Sequence, residues 1–287
     1  MTGDILLCSD LDRTLLPNGP QPESPGARER FTAVAERPEV TLVYVTGRHR
    51  VLVQQAIDNY CLPLPDYVIG DVGSSLFAVT EDGWELRQDW QEEIAPDWAG
   101  LRHEDIHALL ADIRSLRLQP TAKQNTWKLS YFVPLYADNV ALLGEIGQRL
   151  EQHAVNASLI WSVDEPAAIG LLDILPASAN KLHAIEFLRS RNGFSYADTL
   201  FAGDSGNDLS VLASAIPAVL VANASPEVRE AALREAAAQG HADALYIARG
   251  GYLGMNGNYS AGLLEGLVHF MPHTSDWAVV QETGQGA

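Results

Sequence analysis

The sequence has little cysteine, little positive charge and no long apolar run. Its two cysteines, Cys8 and Cys61, in 287 residues provide neither a disulfide framework nor a thiolate metal cluster. Nineteen Lys and Arg stand against 37 Asp and Glu, for a formal net charge of −18. A surface of that sign repels phosphate backbones and anionic headgroups, which argues against nucleic acid and membrane as partners. One local positive pocket would still admit a small phosphorylated molecule. No apolar stretch approaches the ~18 residues that span a bilayer. The opening residues run into Asp10 without the basic and apolar regions of a signal peptide. A cytoplasmic protein is expected.

What is present is a set of short, continuous apolar runs at residues 5–8, 41–45, 67–69, 200–202, 218–222 and 244–248. Strands buried on both faces read this way. Helical spacing lies between most of them, at 24–36, 48–59, 180–191, 208–214, 225–238 and 260–269. The alternation predicts an α/β fold, a Rossmann-like parallel sheet with helices on both faces. Ligands of such sheets bind beyond the carboxyl ends of the strands. The middle differs. Residues 75–80 and 84–88 flank Glu81-Asp82-Gly83 as a hairpin. Helical spacing at 102–116 and 138–153 then mixes with strand-like runs at 127–133, 158–163 and 169–175. An α+β insert is therefore expected at 86–170, between core segments 1–85 and 171–287. The tail after Met271 carries little pattern.

Candidate chemistry sits at the predicted strand ends. Ser9-Asp10-Leu11-Asp12-Arg13-Thr14 follows the first run. Two carboxylates in one small pocket repel unless a cation joins them. With one, Asp10 can be a nucleophile and Asp12 a general acid and base. A turn with an Asx cap is the plain alternative. Gly203-Asp204-Ser205-Gly206-Asn207-Asp208 follows the run at 200–202, and places Asp204 and Asp208 on one strand-to-helix turn. Hard oxygen ligands of this kind suit Mg²⁺; a helix cap would use the same residues. Thr46-Gly47-Arg48 opens another helix, where a hydroxyl and backbone N–H groups can cradle a phosphate. Lys181 stands at a helix start, unfavourably against the macrodipole unless an anion is near.

These four loops, in this order, resemble the signature of the haloacid dehalogenase superfamily of phosphotransferases. The chain further resembles the sucrose-phosphate phosphatase family over most of its length. The resemblance rests on residues 6–12, Thr46-Gly47-Arg48, residues 71–74, Gln124-Asn125-Thr126-Trp127-Lys128, residues 172–176 with Asn180-Lys181, residues 203–208 and residues 261–270. Thr126 departs from the family pattern, which has Pro there. The resemblance implies a haloacid dehalogenase-like core with an α+β cap that selects substrate. It implies hydrolysis of a disaccharide phosphate, sucrose 6-phosphate first and mannosylfructose phosphate next, through an aspartyl-phosphate on Asp10. Asp12 would serve as acid and base. Mg²⁺ would sit on Asp10, the Asp12 backbone carbonyl and Asp204, with Asp208 supporting them from behind. Thr46, Gly47, Arg48, Lys181 and Asn207 would hold the phosphoryl group, and Gln124, Asn125 and Lys128 the sugar. A sucrose-phosphate synthase is the partner it suggests, and a monomer is expected. A phosphomutase and a non-catalytic sugar-binding homologue are the rival classes. Five retained acid and base residues weigh against the second.

Other features have plainer readings. His103-Glu104-Asp105-Ile106-His107 matches a zinc-protease pattern, but the run is acidic and lies in the expected cap, as a solvated helix face would. His49 lies beside the Thr46 loop, at its entrance or on the surface. Trp84, Trp90, Trp98, Trp127 and Trp161 suit core packing or sugar stacking. The glycines and asparagines of 250–258 form either a flap or a turn cluster.

Overall fold

The strand Ile5–Ser9 (β1) is buried at every position. Ile5 and Leu7 join one apolar cluster, Leu6 and Cys8 another. Side chains alternate between the faces of a strand, so a strand covered on both faces must be apolar throughout. The computed structural model describes residues 4–279. Residues 1–3, where the signal-peptide reading begins, and 280–287, the end of the tail, lie outside them.

The remaining strands are β2 (Val40–Val45), β3 (Tyr67–Gly70), β4 (Ser75–Thr80), β5 (Gly83–Leu86), β6 (Arg117–Leu118), β7 (Leu129–Pro134), β8 (Ala157–Asp164), β9 (Ile169–Pro176), β10 (Thr199–Gly203), β11 (Ala218–Leu220) and β12 (Leu245–Ile247). The larger sheet has the order β12-β11-β10-β1-β2-β3-β4-β5. It is parallel from β12 to β3, and the β4–β5 hairpin continues it antiparallel. β1 lies between β10 and β2, with Cys8 opposite both Phe201 and Val43. The helices Ala27–Ala35, Arg50–Tyr60 and Ser260–Phe270 cover one face through Phe31, Val53 and Leu263. The helices Lys181–Arg191, Leu209–Leu212 and Pro226–Ala238 cover the other through Leu188, Val211 and Ala232.

A second, antiparallel sheet has the order β6-β7-β9-β8. The helices His103–Leu109 and Asn139–Gln152 bring Ile106, Ile146 and Leu150 to Trp98, Leu129, Tyr131 and Val133. Two elements that flank this unit in the chain belong elsewhere than the division at 86 and 170 would put them. The helix Gln88–Ile94 buries Trp90 and Ile94 in the core cluster, so the cap's own cluster starts at Trp98. At the other end β9 pairs with β7 as far as Ile174 and with β8 as far as Pro176, so the cap sheet passes the expected division at 170.

The run at 125–128 also departs from the alternating strand expected there. Asn125 and Lys128 exchange backbone hydrogen bonds across a tight turn, and β7 begins only at Leu129. The Asn125 carboxamide accepts from the Trp127 N–H at 2.8 Å, a local Asx bond that competes with strand pairing. The tail is more structured than its pattern suggests. Met271, Thr274 and Ala278 are buried, with a 3₁₀ turn at Pro272–Thr274.

Candidate active site

Four loops meet at the carboxyl ends of β1, β2 and β10 and the start of the helix Lys181–Arg191. Asp10 leaves β1 with its N–H donating to the Ala202 carbonyl at 2.9 Å. The residue is 4% exposed. Lys181 is 2% exposed, so it is not the solvated lysine that a helix start suggests. Its ammonium lies 2.7 Å from Asp208 Oδ1, 3.2 Å from Asp10 Oδ1 and 3.2 Å from Asn207 Oδ1. An ammonium has three protons, and here each has a partner. Lys181 is thus the internal counterion of the carboxylates; a phosphoryl oxygen could reach it only by exchange with one of them.

Asp208 is fully buried and accepts from the N–H groups of Asp204 and Ser205, at 3.1 Å each. Gly203 makes room for it, because a Cβ there would lie 2.7 Å from the Asp208 carboxyl carbon. Asp204 is buried, and its Oδ1 accepts from the Thr14 hydroxyl at 3.2 Å. Oxygens of Asp10, Asp204 and Asp208 all lie within 4.8 Å of one another. Burial pushes the Asp10 carboxyl up to about 8; Lys181 opposes the rise, and Asp208 and Asp204 add to it. Burial, with Asp208 beside it, pushes Asp204 up to about 6. Burial by itself lowers Lys181, but Asp10 and Asp208 outweigh it and hold the ammonium above its ordinary range. The cluster is therefore short of positive charge. An all-carboxylate oxygen set of this kind fits a hard divalent cation such as Mg²⁺.

Asp12 points away from that cluster. Its carboxylate takes a two-pronged bond from Arg48, Nε at 2.7 Å and Nη2 at 2.5 Å, and a third from Asn18 at 2.7 Å. Burial alone would raise its pKa, but Arg48 and Asn18 hold it below the ordinary carboxylate range. One expectation is modified: Arg48 faces Asp12 rather than standing free for phosphate. The Asp12 side chain lies apart from Asp10, Asp204 and Asp208, and the ligand expected from Asp12 is its backbone carbonyl. Thr46 is buried and accepts from the Arg48 N–H at 3.2 Å, which leaves its own proton to donate. Asn207 gives its carbonyl oxygen to Lys181 and Ser205. A cavity of about 320 Å³ opens here, lined by Asp10, Asp12, Arg13, Thr46, Gly47, Arg48, Leu52, Asp204, Ser205 and Asn207. Arg13 and Ser205 belong to the motifs but stood as spacers in the sequence; only folding shows that they face the cavity.

The cap trio divides. Gln124 is occupied within the cap, donating to the carbonyls of Gln119 and Ser130 and accepting from the Ser130 N–H. Asn125 and Lys128 reach the core loop at 71–75. Asn125 donates to the hydroxyls of Ser74 and Ser75 at 3.0 and 3.2 Å. Lys128 is buried, 3.4 Å from Asp71 and 3.6 Å from Asp173. That loop is strained, with φ of 50° at Asp71, 62° at Val72 and 104° at Gly73. A Cβ on Gly73 would lie 2.5 Å from the carbonyl carbon of Asn180, the residue before Lys181. His49 is lowered by burial and by Lys123 and Lys128, with Asp71 opposing, which puts it at the same cap–core seam. His103 and His107 bond to Gln124 and the Tyr131 hydroxyl instead of sharing an ion. The 250–258 segment is a brace rather than a flap. Asn256 and Asn258 donate to the Pro22 carbonyl, and Glu265 accepts from the N–H groups of Arg249 and Gly250.

The family profile of sucrose-6F-phosphate phosphohydrolases matches residues 3–271. A HAD-like hydrolase of Nitrosococcus oceani is 55% identical over 285 residues, 99% of this chain and 76% of that one. The mannosylfructose-phosphate phosphatase of Agrobacterium fabrum is 29% identical over 224 residues, 78% of this chain and 85% of that one. The sucrose-phosphatase of Synechocystis, solved with sucrose and phosphate, superposes with a TM-score of 0.68 at 25% identity, covering 93% of this chain and 98% of that one. The fold is that of the haloacid dehalogenase superfamily.

Proposed function

The chain belongs to the sucrose-6F-phosphate phosphohydrolase family and is a sugar phosphatase, and from that premise we propose that it hydrolyses sucrose 6-phosphate with Asp10 as nucleophile. The observation that carries the reading is the convergence of Asp10, Lys181, Asp204 and Asp208 at adjoining strand ends, with Asp10 and Asp204 pushed up by burial and by the neighbouring carboxylates. Phosphoryl transfer depends mostly on positioning and on neutralising charge, and this group is built for both.

Asp10, Asp204 and the Asp12 backbone carbonyl would hold Mg²⁺, with Asp208 supporting them; the ion would supply positive charge that favours the ionised form of Asp10. Asp10 then attacks phosphorus, and the bond to the sugar oxygen breaks. Asp12 gives that oxygen a proton. Arg48 favours the ionised carboxylate, so Asp12 loosens from Arg48 to carry the proton and returns to it afterwards. In the second half Asp12 takes a proton from water, which attacks phosphorus and frees Asp10. The Thr46 hydroxyl, the Gly47 backbone and the Asn207 amide would hold the phosphoryl oxygens. Asn125 and Lys128, at the cap–core seam, would meet the sugar by exchanging loop contacts for hydroxyls.

The test is phosphate release, with and without Mg²⁺, from sucrose 6-phosphate, mannosylfructose phosphate, trehalose 6-phosphate and hexose phosphates. Sucrose 6-phosphate should be fastest, EDTA should abolish the reaction and Mg²⁺ restore it. The Agrobacterium fabrum relative makes mannosylfructose phosphate the second candidate. Turnover of a hexose phosphate without free phosphate would replace hydrolysis by a mutase. A synthase partner rests on resemblance alone, and co-elution with a sucrose-phosphate synthase would test it, as would the elution volume for the monomer.

A further inference from the structure

Arg13 is the residue of this site with the least ordinary backbone. Its φ is 59°, in the left-handed region that side chains rarely adopt. The strain is held from both sides. The Arg13 N–H donates to Asn18 Oδ1 at 2.8 Å, and its carbonyl accepts from Asn223 Nδ2 at 2.6 Å. Asn223 is itself buried and is fixed by the Tyr259 N–H at 2.8 Å. The product of this bracing is a guanidinium on the cavity wall, 44% exposed, with Nε 3.6 Å from Asp204 Oδ2.

The other two cations have full sets of partners. Lys181 is enclosed by Asp10, Asp208 and Asn207, and Arg48 is forked onto Asp12. Among the described residues, Arg13 has a single long contact to a carboxylate. Asp204 also belongs to the group fit to hold a divalent cation. A guanidinium and a metal ion on the same carboxylate repel each other.

Building on the proposed function, we propose that Arg13 is a further binding residue of this site. It balances Asp204 when no metal does, yields that carboxylate to Mg²⁺, and then pairs with the anionic phosphoryl group of the substrate. The strained turn keeps the guanidinium within reach of both.

The experiment uses Arg13→Gly and Arg13→Lys in the full chain. Glycine suits the left-handed backbone, so Arg13→Gly should melt no lower than the parent. Calorimetry with Mg²⁺ alone should show Arg13→Gly binding it about threefold to fivefold more tightly, the range of a lost exposed ion-pair competitor. The same variant should raise KM for the sugar phosphate about tenfold, as expected for a lost charge-assisted hydrogen bond. Arg13→Lys keeps the charge and should return both values to within about threefold of the parent. General damage would weaken metal and substrate binding together. Unchanged or weaker Mg²⁺ binding by Arg13→Gly overturns the proposal, as does an unchanged KM. So does a lysine variant that behaves like glycine. The calorimetry needs no turnover, so it still reads if sucrose 6-phosphate proves not to be the substrate.

Discussion

The core cluster and the cap turn both place lysine against carboxylates, yet they differ in what surrounds the charge. At the core, Lys181 faces Asp10 and Asp208 with Asp204 close by, and the carboxylates outnumber the ammonium. At the cap, Lys128 bridges Asp71 and Asp173, and these carboxylates also accept from Ser75 and Ser130. The first arrangement is left wanting a cation. The second joins a cap turn to a core loop. Burial of an ion pair thus marks a reactive centre only where charge remains uncompensated.

The sharpest break of this comparison is Asp10→Asn. It keeps size but removes the attacking oxygen, and turnover should fall by at least ~10³ on every phosphate ester. Phosphate release near the parent rate would remove Asp10 from the chemistry. Next, Lys181→Met should leave the core carboxylates without their counterion. Stability to urea should drop by about 3 kcal/mol, the scale for breaking a buried pair. A drop under ~1 kcal/mol would mean that the carboxylates protonate at little cost.

The cap should respond selectively. Asn125→Ala removes the bonds to Ser74 and Ser75, and kcat/KM for sucrose 6-phosphate should fall about tenfold. Hydrolysis of a small aryl phosphate should stay within about twofold of the parent, because such a substrate makes no cap contact. Equal losses on both would make the Asn125 turn a structural clasp alone.

The smallest effect is on pH dependence. Asp10 and Asp204 have folded pKa values raised to about 8 and about 6 above a reference of 3.8. The folded state therefore binds these protons more tightly than the unfolded chain, and stability falls as pH rises from 4 through 8. Metal-free protein should melt lower at pH 8 than at pH 5.5, and the difference should shrink in Asp10→Asn to the part that Asp204 contributes. A higher melting point at pH 8 would show that Lys181 compensates both carboxylates fully.

Much of this was legible in the chain. A strand covered on both faces writes itself as a continuous apolar run, so β1, β2, β3, β10, β11 and β12 could be placed, and Asp10, Thr46 and Asp204 fell at their ends. The hairpin at 75–86 followed from Asp82-Gly83. The 125–128 turn was not legible, because Trp127–Val133 alternates and nothing local shows that the Asn125 side chain closes on Trp127. Nor was the edge of the cap. Both Leu172 and Leu175 read as buried strand, but one packs in the cap and the other in the core. The carboxylate partners of Arg48 and Arg13, and both partners of Asn223, are tertiary neighbours far away in the chain, and no spacing rule reports them.

The sheet order has a consequence for how the protein is made. β1 sits at the centre of the large sheet, yet its neighbour β10 is synthesised some 190 residues later. Until β10 leaves the ribosome, one edge of β1 has no hydrogen-bonding partner, and the face of the first strands that Lys181–Arg191, Leu209–Leu212 and Pro226–Ala238 cover awaits helices not yet made. The cap, whose strands are close in sequence, can close its own sheet first. Assembly of the core must wait for the last third of the chain, and its contacts of long sequence separation make it the slow step. The nascent N-terminal segment is therefore the part of this molecule most in need of a chaperone.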